Sequence, residues 1–181
     1  MKTKHVAWAV LGFCAGFAGA CSSSEEQADA TTAQAVMSEL VSSVDTTVTG
    51  YQSRDGGAGT LELTCSPSGK ASVDGHVKVS VNPVEVDVQV AIAYDACETS
   101  RGTTIDGGLD FTQTVQAGQQ PVRVQTVYQG DVQMTGKVQA DCTVDVTVLV
   151  DEAGRSVQVS GSVCGHDAAD LDLQIAARWK S

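Results

Sequence analysis

The sequence predicts an all-β domain with one N-terminal helix: an antiparallel meander of eight or nine strands in a curved sheet, a half-barrel or a barrel. Three observations lead there. Apolar and polar residues alternate with period two from about residue 70 onward, as strands with one buried and one wet face require. Valine and threonine dominate those runs, and both suit a pleated surface. No helical pattern separates the runs, which disfavours an α/β fold.

The elements follow in chain order. Ser22 to about Ala30 is polar and small, without an apolar period, and reads as a flexible tether. Thr31-Thr32-Ala33-Gln34 offers a capping box. Val36, Met37, Leu40, Val41 and Val44 then mark one apolar stripe, so a helix is expected over about 32–45. Gly56-Gly57-Ala58-Gly59 reads as a loop. Val73 to Val81 and Val84 to Tyr94 form two alternating runs around Asn82-Pro83. A two-residue connection would set Val81 opposite Val84, and the proline favours a type VI turn or a wider bend there. Val122–Tyr128, Val144–Val150, Val157–Val163 and Leu171–Ala177 repeat the rhythm, with Val150 facing Val157 across 151–156. The alternation from Val132 to Val150 is nearly unbroken and fits one long bent strand or two short ones.

A short pattern recurs inside these runs: Val73-Asp74-Gly75-His76-Val77, Ile105-Asp106-Gly107-Gly108-Leu109, Met134-Thr135-Gly136-Lys137-Val138 and Val159-Ser160-Gly161-Ser162-Val163. The copies start 32, 29 and 25 residues apart, a length that suits repeated hairpins. Gly75, Gly107, Gly136 and Gly161 fall in the apolar phase. Glycine within a strand marks a bulge, a bend or close backbone approach. These four are expected to form a shallow trough that receives the helix, or to let the sheet curl.

Export is legible at the N-terminus. Lys2 and Lys4 precede an apolar run from Val6 to Ala20, and Ala18-Gly19-Ala20 leads into Cys21. The segment resembles a bacterial lipoprotein signal, with Ala18 where that family favours leucine. The resemblance covers residues 1–21 and implies a signal peptide over 1–20 with lipidation at Cys21. A lipid-anchored tether over 21–30 and a single domain over 31–181 would follow. Ser22, where an aspartate would imply inner-membrane retention, favours the outer membrane. The membrane, through this lipid, is then one partner, and an envelope protein is a possible second.

Composition narrows the rest. The mature chain of 161 residues is one domain's worth. Loss of Lys2 and Lys4 leaves 9 basic against 22 acidic side chains, a net charge of 9 − 22 = −13. Such a surface does not suit nucleic acid. Cys65, Cys97, Cys142 and Cys164 in an exported domain suggest two disulfides. Cys65–Cys97 with Cys142–Cys164 is favoured; Cys65–Cys164 would imply a closed barrel. Zinc is disfavoured because no C-x-x-C knuckle is present.

Sites for chemistry are sparse, and no cofactor or metal is expected. Cys164-Gly165-His166-Asp167 reads as a turn, not as catalytic machinery. His76 lies in the polar phase of its run and is expected to be solvated. Asp167, Asp170 and Asp172 lack the spacing of a calcium loop. No nucleophile elbow, zinc-protease motif or phosphate loop occurs. The expected role is structural or interactive, without catalysis. The alternative is a carrier of a lipid or small apolar ligand held between helix and sheet.

Overall fold

The computed structural model describes residues 28–55, 58–117, 122–151, 156–171 and 173, so the signal segment and Cys21 lie outside the described residues. One helix precedes one sheet. Helix α1 spans Ala30–Asp55, and the strands are β1 (Ala58–Thr64), β2 (Lys70–Val81), β3 (Val84–Glu98), β4 (Thr103–Gln116), β5 (Arg123–Gly136), β6 (Ala140–Asp151), β7 (Ser156–Val163) and β8 (His166–Asp167). Each strand pairs antiparallel with the next, in the order β1 to β8, and the sheet stays open.

The helix is longer than the apolar stripe predicts. It starts at Ala30 because Asp29, not Thr31, caps it: the Thr32 backbone N–H donates to Asp29 Oδ1 at 2.7 Å. That bond also holds the Asp29 carboxyl below its ordinary pKa. Beyond Asp45 the threonine-rich stretch is a poor helix former. Packing overrides propensity there, since Thr47 and Tyr51 are buried and Val48 is partly buried against the core. The tether therefore ends by Ala28, which already packs on the core. The glycine loop is also shorter than expected, because Ala58 and Gly59 belong to β1.

The alternation of the sequence becomes the two faces of the sheet. Val88, Val90, Ile92 and Tyr94 of β3 are buried, as are Val144, Val146, Val148 and Val150 of β6. Val81 faces Val84 across a two-residue loop with a cis Asn82-Pro83 bond, and Val150 faces Val157. The ambiguous stretch from Val132 to Val150 is two strands, β5 and β6, with Met134 opposite Ala140 across the turn. Leu171 and Leu173 are buried without belonging to a strand, and Asp172 and residues 174–177 lie outside the described residues.

The sheet curves around the helix. Leu40, Val36 and Met37 of α1 are fully buried among inward side chains of β2 to β7. The helix lies nearest β1, β2 and β7, strands from both edges of the sheet. It therefore occupies the hollow that the curl creates. A central row, Gly75, Val90, Phe111, Tyr128, Val146 and Gly161, runs across β2 to β7. Its large side chains are at the middle, where the Phe111 and Tyr128 rings meet with centroids 5.4 Å apart, and its glycines lie towards the edges.

Candidate binding cleft

The largest polar recess described lies beside the helix. Ser42, Ser43, Thr46 and Thr47 form one wall, and the turns at 65–69 and 99–102 form the other, around a cleft of about 310 Å³. The two turns are tied together. Cys65 is bonded to Cys97, the Glu98 N–H donates to the Ser68 carbonyl at 2.9 Å, and Ser68 Oγ donates to Glu98 Oε2 at 2.9 Å. Cys97 reaches this position because the β3–β4 register shifts after Tyr94, where Ala96 adopts a left-handed backbone with φ 45°. Asp106 Oδ1 accepts the Ala96 N–H at 2.7 Å and holds that irregularity in place.

Glu39 closes the far end of the cleft. Its side chain is only 6% exposed, and a carboxylate so enclosed needs donors. Thr99 Oγ1 donates to Oε2 at 3.1 Å, and Arg101 Nη1 lies 3.5 Å from Oε1. The same Arg101 nitrogen donates to Ser38 Oγ at 3.2 Å. Arg101 is half exposed, so its ion pair is partly screened and serves mainly to hold the turn against the helix. Deeper in, Tyr94 is buried and accepts a hydrogen bond from Ser43 Oγ at 3.3 Å. Burial pushes its phenol up to about 12. Hydroxyls and one guanidinium can hold a small polar molecule here. They do not place a base beside a nucleophile.

The sequence-predicted residues are distributed as follows. Cys142 is bonded to Cys164, completing the second disulfide. The β6–β7 ladder ends at Val144 and Val163, and the geometry is then met by a left-handed Cys164, φ 51°, where a bulge was the expected device. With Cys164 so engaged, Cys164-Gly165-His166-Asp167 is a turn leading into β8, and His166 Nε2 pairs with the Ala28 carbonyl at the start of the helix. Asp167 Oδ1 accepts the Ala169 N–H at 2.9 Å, a local turn bond. Among the described residues no group of three or more His, Cys, Asp or Glu could hold a metal ion. His76 is only partly exposed; its Nε2 is shut off from solvent without a hydrogen-bond partner among the described residues, contrary to the expectation of a solvated ring.

The four repeat glycines stand opposite inward-facing positions, but they do not form one trough under the helix. Only Gly75 touches it, accepting at its carbonyl the Tyr51 hydroxyl at 2.9 Å. Gly107, Gly136 and Gly161 are exposed and adopt φ values of 115°, 93° and 101°. Their role is close approach and bending. A Cβ on Gly107 would stand 2.3 Å from the Asp131 carbonyl oxygen, and one on Gly161 would stand 1.9 Å from that of Asp145. Glu39 and Arg101 carry no sequence signal as a pair, because one sits beside an apolar helical stripe and the other in a hairpin turn.

No family model, no curated protein and no solved structure matches the chain.

Proposed function

We propose that this chain is an exported, lipid-anchored outer-membrane lipoprotein whose domain has a structural or protein-interaction role and no catalysis. The observation that carries the reading is the filled hollow. Helix α1 occupies the space a curved sheet would offer a lipid, with Met37 and Leu40 fully buried inside it. Binding is then left to the outside of the molecule. The two disulfides fit an oxidising, exported location, and among the described residues no helix is long and apolar enough to cross a membrane. Attachment by lipid at Cys21 rests on the N-terminal sequence, with the polar residues before Ala28 as the tether.

The test is metabolic labelling of the full chain with an alkyne fatty acid in a bacterial host, followed by native mass spectrometry. Label on the parent chain and none on Cys21→Ser is expected, with the variant released from the membrane. Label retained by Cys21→Ser, or absent from the parent, would overturn the anchor. The domain itself is expected to carry no small molecule and to lack the four hydrogens of two disulfides. A reproducible mass excess removed by organic solvent would turn the reading towards a carrier that uses the cleft beside α1.

A further inference from the structure

The β2–β3 hairpin tip combines two features that soluble sheets ordinarily keep apart. The first is an unpaired edge. β1 ends opposite His76, with Ala58 as the last partner, while β2 continues to Val81. No described strand pairs with Val77–Val81 on the side that β1 leaves, so a row of backbone donors and acceptors is available to another chain. The second is apolar exposure. Val79, Val81 and Val84 are 67%, 84% and 44% exposed, and they are the exposed large hydrophobics of the described residues. All three belong to the inward phase of the sheet, in the stretch that projects past its cover.

We infer that Val77–Val81 pairs antiparallel with the same segment of a second copy of this chain, joining two sheets edge to edge through a two-fold axis at Val79. Charge argues for a copy as the occupant. The segment carries Lys78 and no acid, in a chain of formal net charge −11. The register is selected by its neighbours. With Val79 opposite Val79, Val77 meets Val81, Lys78 meets Ser80, and each Lys78 stays beside its own Asp87. A slide one way would set Lys78 directly across from Lys78, a like-charge pair. A slide the other way would bring Val77 against Pro83, which has no N–H to give. The contact is small beside the ~1,200–2,000 Å² of a stable interface. Self-pairing is therefore weak and reversible in dilute solution. Confinement of both copies to one membrane raises their effective concentration and favours it. In this respect the inference rests on the anchored, interacting role proposed above and names its partner.

The experiment uses the full chain in bacterial membranes, oxidised with copper phenanthroline and resolved without reductant. Val79→Cys is expected to give at least tenfold more disulfide-linked dimer than Asp145→Cys, an exposed position on the outer face of β6 that reports random collision. The unsubstituted chain serves as the blank. Equal yields from the two variants, or no dimer from either, would overturn self-pairing and mark Lys78 as an edge guard. Cross-linking of Val79→Cys only to a different polypeptide would also overturn it, while leaving an interaction role intact. Loss of the parent chain from the membrane would instead sink the anchor, and the pairing would then be scored in the soluble fraction.

Discussion

Tyr94 links the helix, the sheet and the cleft through one hydroxyl. The ring is buried on β3, and the hydroxyl accepts from Ser43 on α1. Its phenol is raised from near 10 to about 12, chiefly by desolvation of the charged form, with hydrogen bonds from Ser43 and Thr47 acting the other way. A raised folded value for an acid means that stability is complete below the unfolded pKa and is lost as pH rises towards the folded one. The window is therefore about pH 10 to 12. Each pH unit removes ~1.4 kcal/mol, so the whole window removes about 3 kcal/mol. Tyr94→Phe should be less stable at pH 7 by about 1 kcal/mol, for the lost hydrogen bond. It should lose less on alkalisation, so the two stability curves should cross. Urea unfolding across the pH range checks this, and curves that stay parallel to pH 12 would show that Tyr94 ionises without resistance.

At the scale of the element, the bends in the strands are the weak points of this sequence. Gly161 sits in β7 opposite Val146 with φ 101°, a backbone that side chains rarely adopt, and its missing Cβ would overlap the Asp145 carbonyl. Gly161→Ala should cost at least about 1–3 kcal/mol in backbone strain. The exposed neighbour Ser160→Ala should stay within about 0.5 kcal/mol of the parent. Chemical denaturation of both variants decides it: equal midpoints would mean that the strand relaxes around the new methyl. The same residues show what a sequence can reveal. Period two places Gly161 in the apolar phase and finds the hairpins at Val81/Val84 and Val150/Val157, because phase and turn length are local properties. It does not reveal the sign of φ, so a bend looked like part of a trough. The last turns of α1 were hidden for the opposite reason. Thr46, Thr47 and Thr49 are locally poor in a helix, and only the sheet packed around Tyr51 makes that stretch helical. The cleft was hidden too, since Glu39 and Arg101 meet only once the curl brings the 99–102 turn to the helix.

For the molecule as a whole, the question is what keeps an open sheet curled around one helix. Closure would remove both edges, yet β1 and β8 pair only inward along the meander. The disulfides take up part of that task. Cys65–Cys97 ties the residue after β1 to β3 across β2, and Cys142–Cys164 ties β6 to the turn after β7. Each edge thus has one covalent fastening, at the end of the sheet away from the β2–β3 hairpin. The bridges span 32 and 22 residues, and on loop-entropy grounds each contributes about 3–4 kcal/mol. A domain of this size has about 5–15 kcal/mol in total. Loss of both should therefore leave the fold marginal, and the chain should not accumulate folded in a reducing cytosol. Loss of one should act locally. Replacing Cys65 and Cys97 by alanine should lower stability by about 3 kcal/mol and speed amide exchange first in β1, which pairs on one side only. Replacing Cys142 and Cys164 should instead loosen β7, β8 and the His166 contact with Ala28. Hydrogen exchange by mass spectrometry on the two double variants separates these patterns. If both produced the same uniform rise in exchange, the edges would not be independent fastenings, and the curl would be held by the helix alone.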